Sequence, residues 1–284
     1  YQSGRATTEG SSNVFIGYQT GLNSTYANND VFIGCQSGFN NYSGEINVFV
    51  GYKSGYSNIE GKSNVLIGNV SGYSNQTGYY NVMIGDSAGY NPTNSFYNVF
   101  IGQGCGKNNT YGQKNTFIGF QSGYNNSDGE SNVFIGNVCG RNNQSGSDNV
   151  FIGSSSGFSN SGSSNVFIGN NSGNKNAGAS NIFIGNQCGY KNEGGSSNVF
   201  LGNSAGLNNI SGTSNVFLGN ASGYSNTSGG SNVFIGDQSG KSNKEGEYNV
   251  FIGESAGYIN TSGSSNVFLG LESGDKVPDE KTVW

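Results

Sequence analysis

The chain has 284 residues, 50 of them glycine, with charged residues at 10%, hydrophobic residues at 32% and a formal net charge of −5. Ordinary domains carry about 7% Gly and about 25% charged residues, so a large apolar core is excluded and the ordering cost of roughly 1–2 kcal/mol per residue must be met another way. No basic cluster and no apolar run near the roughly 20 residues of a bilayer-spanning helix is present, which argues against nucleic acid as a partner and against membrane insertion of this segment.

Self-similarity supplies the missing order. Residues 1–12 open on "YQSG" (Tyr1–Gly4), the middle of a unit whose leading strand is absent, so they are expected to form a partial coil of an array that continues upstream. The lone methionine, Met83, and the initial Tyr1 likewise mark the chain as an expected fragment. From residue 13 to residue 274 the unit N-V-F-I-G-x-x-S-G-Y-x-N-x-x-G-x-S repeats. Its first residue falls at 13, 30, 47, 64, 81, 98, 115, 132, 149, 165, 181, 198, 215, 232, 249 and 266, with thirteen intervals of 17 residues and two of 16. Residues 275–284 break the pattern with charges, Pro278 and the sole Trp284, and are expected to act as a cap or exit segment.

Let the opening Asn (once Asp30) be position 0. Positions 4 and 8 are Gly in every unit, position 7 is always small, and position 11 is Asn in thirteen units. Two fixed glycines imply two fixed bends where φ is positive or another backbone lies too close for a Cβ. A short unit with one strand, glycine corners and no 3.6-residue periodicity predicts an all-β fold, a parallel β-solenoid or β-roll of about sixteen 17-residue coils. Stacked in register at about 4.8 Å per coil, sixteen coils would run for about 75 Å. Asn at positions 0 and 11 would then form amide ladders of the kind seen in cross-β stacks.

Neighbouring side chains of a strand point to opposite faces, so Val and Ile at positions 1 and 3 share one face and position 2 takes the other. Position 2 is Phe15, Phe32, Phe49, Phe100, Phe117, Phe134, Phe151, Phe167, Phe183, Phe200, Phe217, Phe234, Phe251 and Phe268, with Leu66 and Met83 as exceptions. The reading places Val and Ile inside and the Phe ladder outside. At 150–250 Å² per ring that ladder exceeds the roughly 300–600 Å² patch of an ordinary monomer. It is therefore expected to be covered by identical neighbours in a closed homo-oligomer. With the faces exchanged, Phe inward and Val/Ile outward, the same conclusion holds for the other ladder.

The string N-V-F-I-G-x-x-S, as at Asn132–Cys139 or Asn232–Ser239, resembles the head repeats of trimeric autotransporter adhesins and similar modules of phage tail fibres. The resemblance spans nearly the whole chain and implies a left-handed parallel β-roll, three chains packed side by side, and a role in binding host surfaces. Here the coils are longer, and Phe stands where that family has a small residue.

Other motifs are absorbed by the repeat. "GDSAG" (Gly85–Gly89), "GNSAG" (Gly202–Gly206) and "GESAG" (Gly253–Gly257) match a serine-hydrolase elbow, but the chain has no histidine to serve as base. "GQGCGK" (Gly102–Lys107) imitates a phosphate loop without a helix to follow it. Cys105, Cys139 and Cys188 occupy position 7 and Cys35 position 5, and they read as small thiols in place of Ser or Ala, with no metal-ligand spacing. The acidic residues recur at no fixed position, so no calcium or other metal bound coil by coil is expected, an isolated ion being left open, and no cofactor is expected. Asn-x-Ser/Thr acceptors such as Asn23, Asn75 and Asn226 arise from the composition alone.

Position 9 is the informative variable site: Tyr56, Tyr73, Tyr90, Tyr124, Tyr190, Tyr224 and Tyr258, with Leu, Phe, Lys, Arg, Asn or Asp elsewhere. These rings are expected either to contact a surface ligand such as a host glycan or protein, or to extend a ladder that shields the glycine bend. The sequence thus predicts a non-enzymatic structural segment of an extracellular, cell-surface or virion fibre. Its expected partner is itself, as a trimer. A filament of end-to-end solenoids is the second reading, and an ice-binding solenoid, which needs a Thr-rich face, the third.

Overall fold

The computed structural model describes residues 2–275. Among them are sixteen three-residue strands and no helix, and the fold is the all-β parallel solenoid that the spacing predicts. The chain divides into two compact units, Tyr1–Ser145 and Gly146–Trp284. In the first, eight strands run from Val14–Ile16 to Val133–Ile135, each paired in parallel with the next and in strict register (Val14 with Val31, Phe15 with Phe32, Ile16 with Ile33). The second repeats the arrangement from Val150–Ile152 to Val267–Leu269. Its two shortened coils leave the strands aligned, since Val150 pairs with Val166 and Val166 with Ile182.

Backbone hydrogen bonds between coils continue well beyond the strands. In one coil of the first unit, Val65 N–H donates to Asn81 O at 2.8 Å, Gly68 N–H to Val50 O at 2.8 Å, Val70 N–H to Tyr52 O at 2.9 Å and Gly72 N–H to Ala88 O at 2.9 Å. Three-residue strands could not hold a sheet alone; the corners are paired as well. Residues 2–12 join the same scheme, with Gly4 N–H on Thr20 O at 2.9 Å and Ala6 N–H on Leu22 O at 3.1 Å. Of the expected C-terminal cap, Asp275 alone lies within the described residues, and Pro278 and Trp284 lie outside them.

Both predicted glycine bends have positive φ, for example 135° at Gly68 and 58° at Gly72. Two further left-handed positions per coil, 6 and the last (16 in the full-length coils), are filled mostly by other residues, including Val70 (φ 48°), Ile46 (φ 60°) and Tyr80 (φ 56°). A bulky or β-branched residue there costs on the order of 1–3 kcal/mol. The backbone hydrogen bonds on either side hold it in place.

The two faces of the strand are the reverse of the expected assignment. Position 2 points inward: Phe32, Phe49, Phe100, Phe117 and Phe134 of the first unit and Phe151 through Phe251 of the second have no exposed surface. Phe268 is 1% exposed and Phe15, in the first complete coil, is half-buried. Rings of successive coils stack nearly parallel, with centroids 4.6 Å apart for Phe200–Phe217 and 4.9 Å for Phe217–Phe234. The glycine of position 8 explains the choice. A Cβ on Gly223 would run into the Phe217 ring, and one on Gly173 into Phe167. The Phe ladder is therefore the core of each coil and no surface between copies, while Val and Ile face outward.

Position 7 lines the same interior. Its hydroxyl donates to the position-2 carbonyl of the following coil: Ser54 Oγ to Leu66 O at 2.7 Å, Ser239 Oγ to Phe251 O at 3.0 Å. Position 0 is buried too. Asn47 Oδ1 accepts the Asn64 N–H at 3.0 Å, while Asn47 Nδ2 donates to Gly61 O at 2.9 Å. Position 11 adds the second expected ladder, Asn58 Nδ2 donating to Asn41 Oδ1 at 2.5 Å and to Gly61 O at 3.2 Å. Both amides thus converge on the carbonyl of the third glycine. Small polar residues replace the missing apolar bulk because nearly every one is hydrogen-bonded.

Candidate interaction surfaces

With Phe inside, the outward residues of the strands form two aliphatic columns per unit. In the first these are Val at position 1, once Thr116, and Ile or Val50 at position 3; in the second, Val or Ile182, and Ile or Leu. They are half-buried by their own stacking yet keep apolar surface, with Ile33 36%, Ile101 37%, Ile182 40% and Ile252 39% exposed. The more exposed of these side chains keep a third or more of their surface and the others less, so each unit carries an apolar stripe of the kind that marks an interaction face. Sequence reading had the alternation right but assigned these residues to the interior. The signal that settles it is parity: position 2 shares a face with the buried amide of position 0.

The seven position-9 tyrosines are all half-buried. In the first unit they belong to one column: Phe39, Tyr56, Tyr73 and Tyr90 stack in sequence with centroids 5.0, 5.1 and 5.1 Å apart. Lys107 then sits 5.6 Å from both Tyr90 and Tyr124, and the Arg141 guanidinium 5.1 Å from Tyr124. Ring faces are thereby occupied by rings or by cations, each cation worth about 0.5–1 kcal/mol at such an exposed site. In the second unit Lys241 lies 5.2 Å from Tyr258. Among the described residues, Tyr190 and Tyr224 have neither a stacked ring nor a cation over the ring.

The catalytic look-alikes occupy coil corners. Ser87 lies at position 6 with φ 54° and its Oγ donates to Asp86 Oδ1 at 2.7 Å; Ser204 and Ser255 share that backbone conformation. Cys105 of the glycine-rich string is buried at position 7 with Sγ on Phe117 O at 3.1 Å, the bond that serine makes in other coils. All four cysteines are thiols. Burial pushes Cys105, Cys139 and Cys188 well above the usual thiol range, which suppresses thiolate chemistry. Among the described residues no group of three or more His, Cys, Asp or Glu is placed to hold a metal ion, and no helix is long and apolar enough to cross a membrane.

Asp30 is the one carboxylate inside the amide ladder. Its Oδ1 accepts Asn47 N–H at 2.7 Å and its Oδ2 the Asn41 amide at 3.0 Å. Burial nonetheless pushes its pKa up to about 7, with the hydrogen bonds from Asn47 and Asn41 opposing and Glu45 adding a little. No protein-family model and no curated protein sequence matches the chain.

Proposed function

We propose that this array is a structural, non-catalytic segment of a surface-exposed fibre, extracellular or on a virion, in which three copies pack side by side through their outward Val/Ile faces. The observation that carries it is the pair of aliphatic columns left uncovered in the single chain. A second copy is the fitting occupant, because an identical face offers β-branched rows at the same coil spacing and closed symmetry buries both at once. Shaft and adhesive head are the corresponding roles, by resemblance to adhesin and tail-fibre repeats, with a host-surface glycan or protein as outer partner.

Sedimentation equilibrium over a range of concentrations tests the assembly. The expected result is a trimer that dissociates to monomer on Ile67→Lys with Ile101→Lys, with the β spectrum unchanged, since both side chains face outward. A wild-type chain that stays monomeric at every concentration overturns the reading.

A further inference from the structure

The two 16-residue coils, Asn149–Ser164 and Asn165–Ser180, have lost their residue from one corner. Asn160 Nδ2 reaches Gly162 O and Asn176 Nδ2 reaches Gly178 O two residues along, at 2.6 Å each, where other coils make the same bond three residues along. Two short corners beside the full-length corner at Glu193 leave an open surface notch of about 260 Å³, lined by the exposed Ser159, Ser161, Lys175, Ala177 and Glu193 over the buried Asn176. Asn176 is buried and committed to the ladder, accepting Asn192 Nδ2 at 2.6 Å. The remaining polar groups are not committed: among the described residues neither the Lys175 ammonium nor the Glu193 carboxylate has an ion-pair partner, and the Ser159 and Ser161 hydroxyls have no hydrogen bond. The wall carrying Lys175 adjoins Tyr190, whose carbonyl accepts the Lys175 N–H at 3.0 Å and whose ring is one of the two uncovered by a ring or cation.

We propose that this notch binds a single neutral pyranose ring, with Lys175 and the two serines donating to its hydroxyls and Glu193 accepting from them. A cation and an anion that do not satisfy each other, interleaved with hydroxyls, match vicinal sugar hydroxyls, which donate and accept at once. A notch of this volume, open to solvent on one side, seats one ring with its outer face left in water. This inference rests on the adhesive reading above and gives it a place on the chain.

Ligand-observed NMR of the full chain with methyl glucoside, methyl galactoside and methyl mannoside, each at about 10 mM, tests it. Saturation transfer to at least one is expected. Affinity should fall about tenfold in Glu193→Gln and in Lys175→Gln, and binding should vanish when a serine is inserted before both Gly162 and Gly178, which restores the regular corner. Transfer to none of the three, or transfer that all three variants leave unchanged, overturns the proposal. Adhesion to a glycan-coated surface separates the two readings: adhesion by the wild type that the insertion variant retains sinks the notch alone, and no adhesion by the wild type sinks the adhesive reading.

Discussion

The position-11 amide column is continuous in the second unit and interrupted in the first. From Asn176 to Asn260 every amide donates to the one before it, at 2.7, 2.6, 2.6, 2.6, 2.8 and 3.0 Å. In the first unit Asn75 donates to Asn58 at 3.4 Å, and the next coil offers Pro92. Ser95 stands there too, in place of the third glycine, and both Asn75 Oδ1 and Ser95 Oγ are buried without a partner. A ladder of this kind stabilises only while it is unbroken, because a missing rung strands the polar atoms of its neighbours inside the coil.

The largest expected effect breaks the better-ordered unit. Phe217→Ala removes a ring stacked on both sides and leaves a void that glycine corners cannot fill, and it should cost about 3–5 kcal/mol in chemical denaturation.

Next comes the other irregularity of the first unit. For Asp30 the folded pKa of about 7 lies above the unfolded value near 3.9, so its penalty is absent below about pH 4, grows as pH rises, and is complete above about pH 7. Asp30→Asn, which restores the repeat, should therefore stabilise the protein by up to about 4 kcal/mol at pH 8 and by almost nothing at pH 4. Equal gains at both pH values would show that the carboxylate is not the cause.

The smallest effect comes from restoring the interrupted amide column of the first unit. Pro92→Asn with Ser95→Gly rebuilds the missing rung and should add about 1–3 kcal/mol. The two changes should be non-additive in a double-mutant cycle, since a Cβ at the third-glycine position meets the position-11 amide in regular coils, as Gly61 does with Asn58. Single substitutions that each recover the full gain would remove the proposed coupling.

Strand positions, coil length, the two glycine bends and both amide ladders were legible in the sequence because each is tied to a residue type that only one environment tolerates. The orientation of the strand was misread, since Val-Phe-Ile is apolar on both faces and only the shared face of position 2 with the amide of position 0, whose burial the fold reveals, ranks them. Geometry decides through Gly223 beneath Phe217 and its counterparts. Left-handed positions 6 and 16 stayed hidden for a related reason: Val70 and Tyr80 adopt that conformation under the hold of backbone bonds and leave no glycine as a marker. The missing residues at Gly162 and Gly178 were visible as two shorter intervals, but a spacing does not reveal that the lost volume opens at the surface beside Lys175 and Glu193.

In-register pairing also bears on inheritance. Asn198 and Asn215 present the same acceptors to the coil that follows them, so loss or duplication of 51 base pairs of coding DNA, one 17-residue repeat, would rejoin matching surfaces and leave every contact type intact. A change in coil number by whole repeats would therefore conserve reading frame and stacking together.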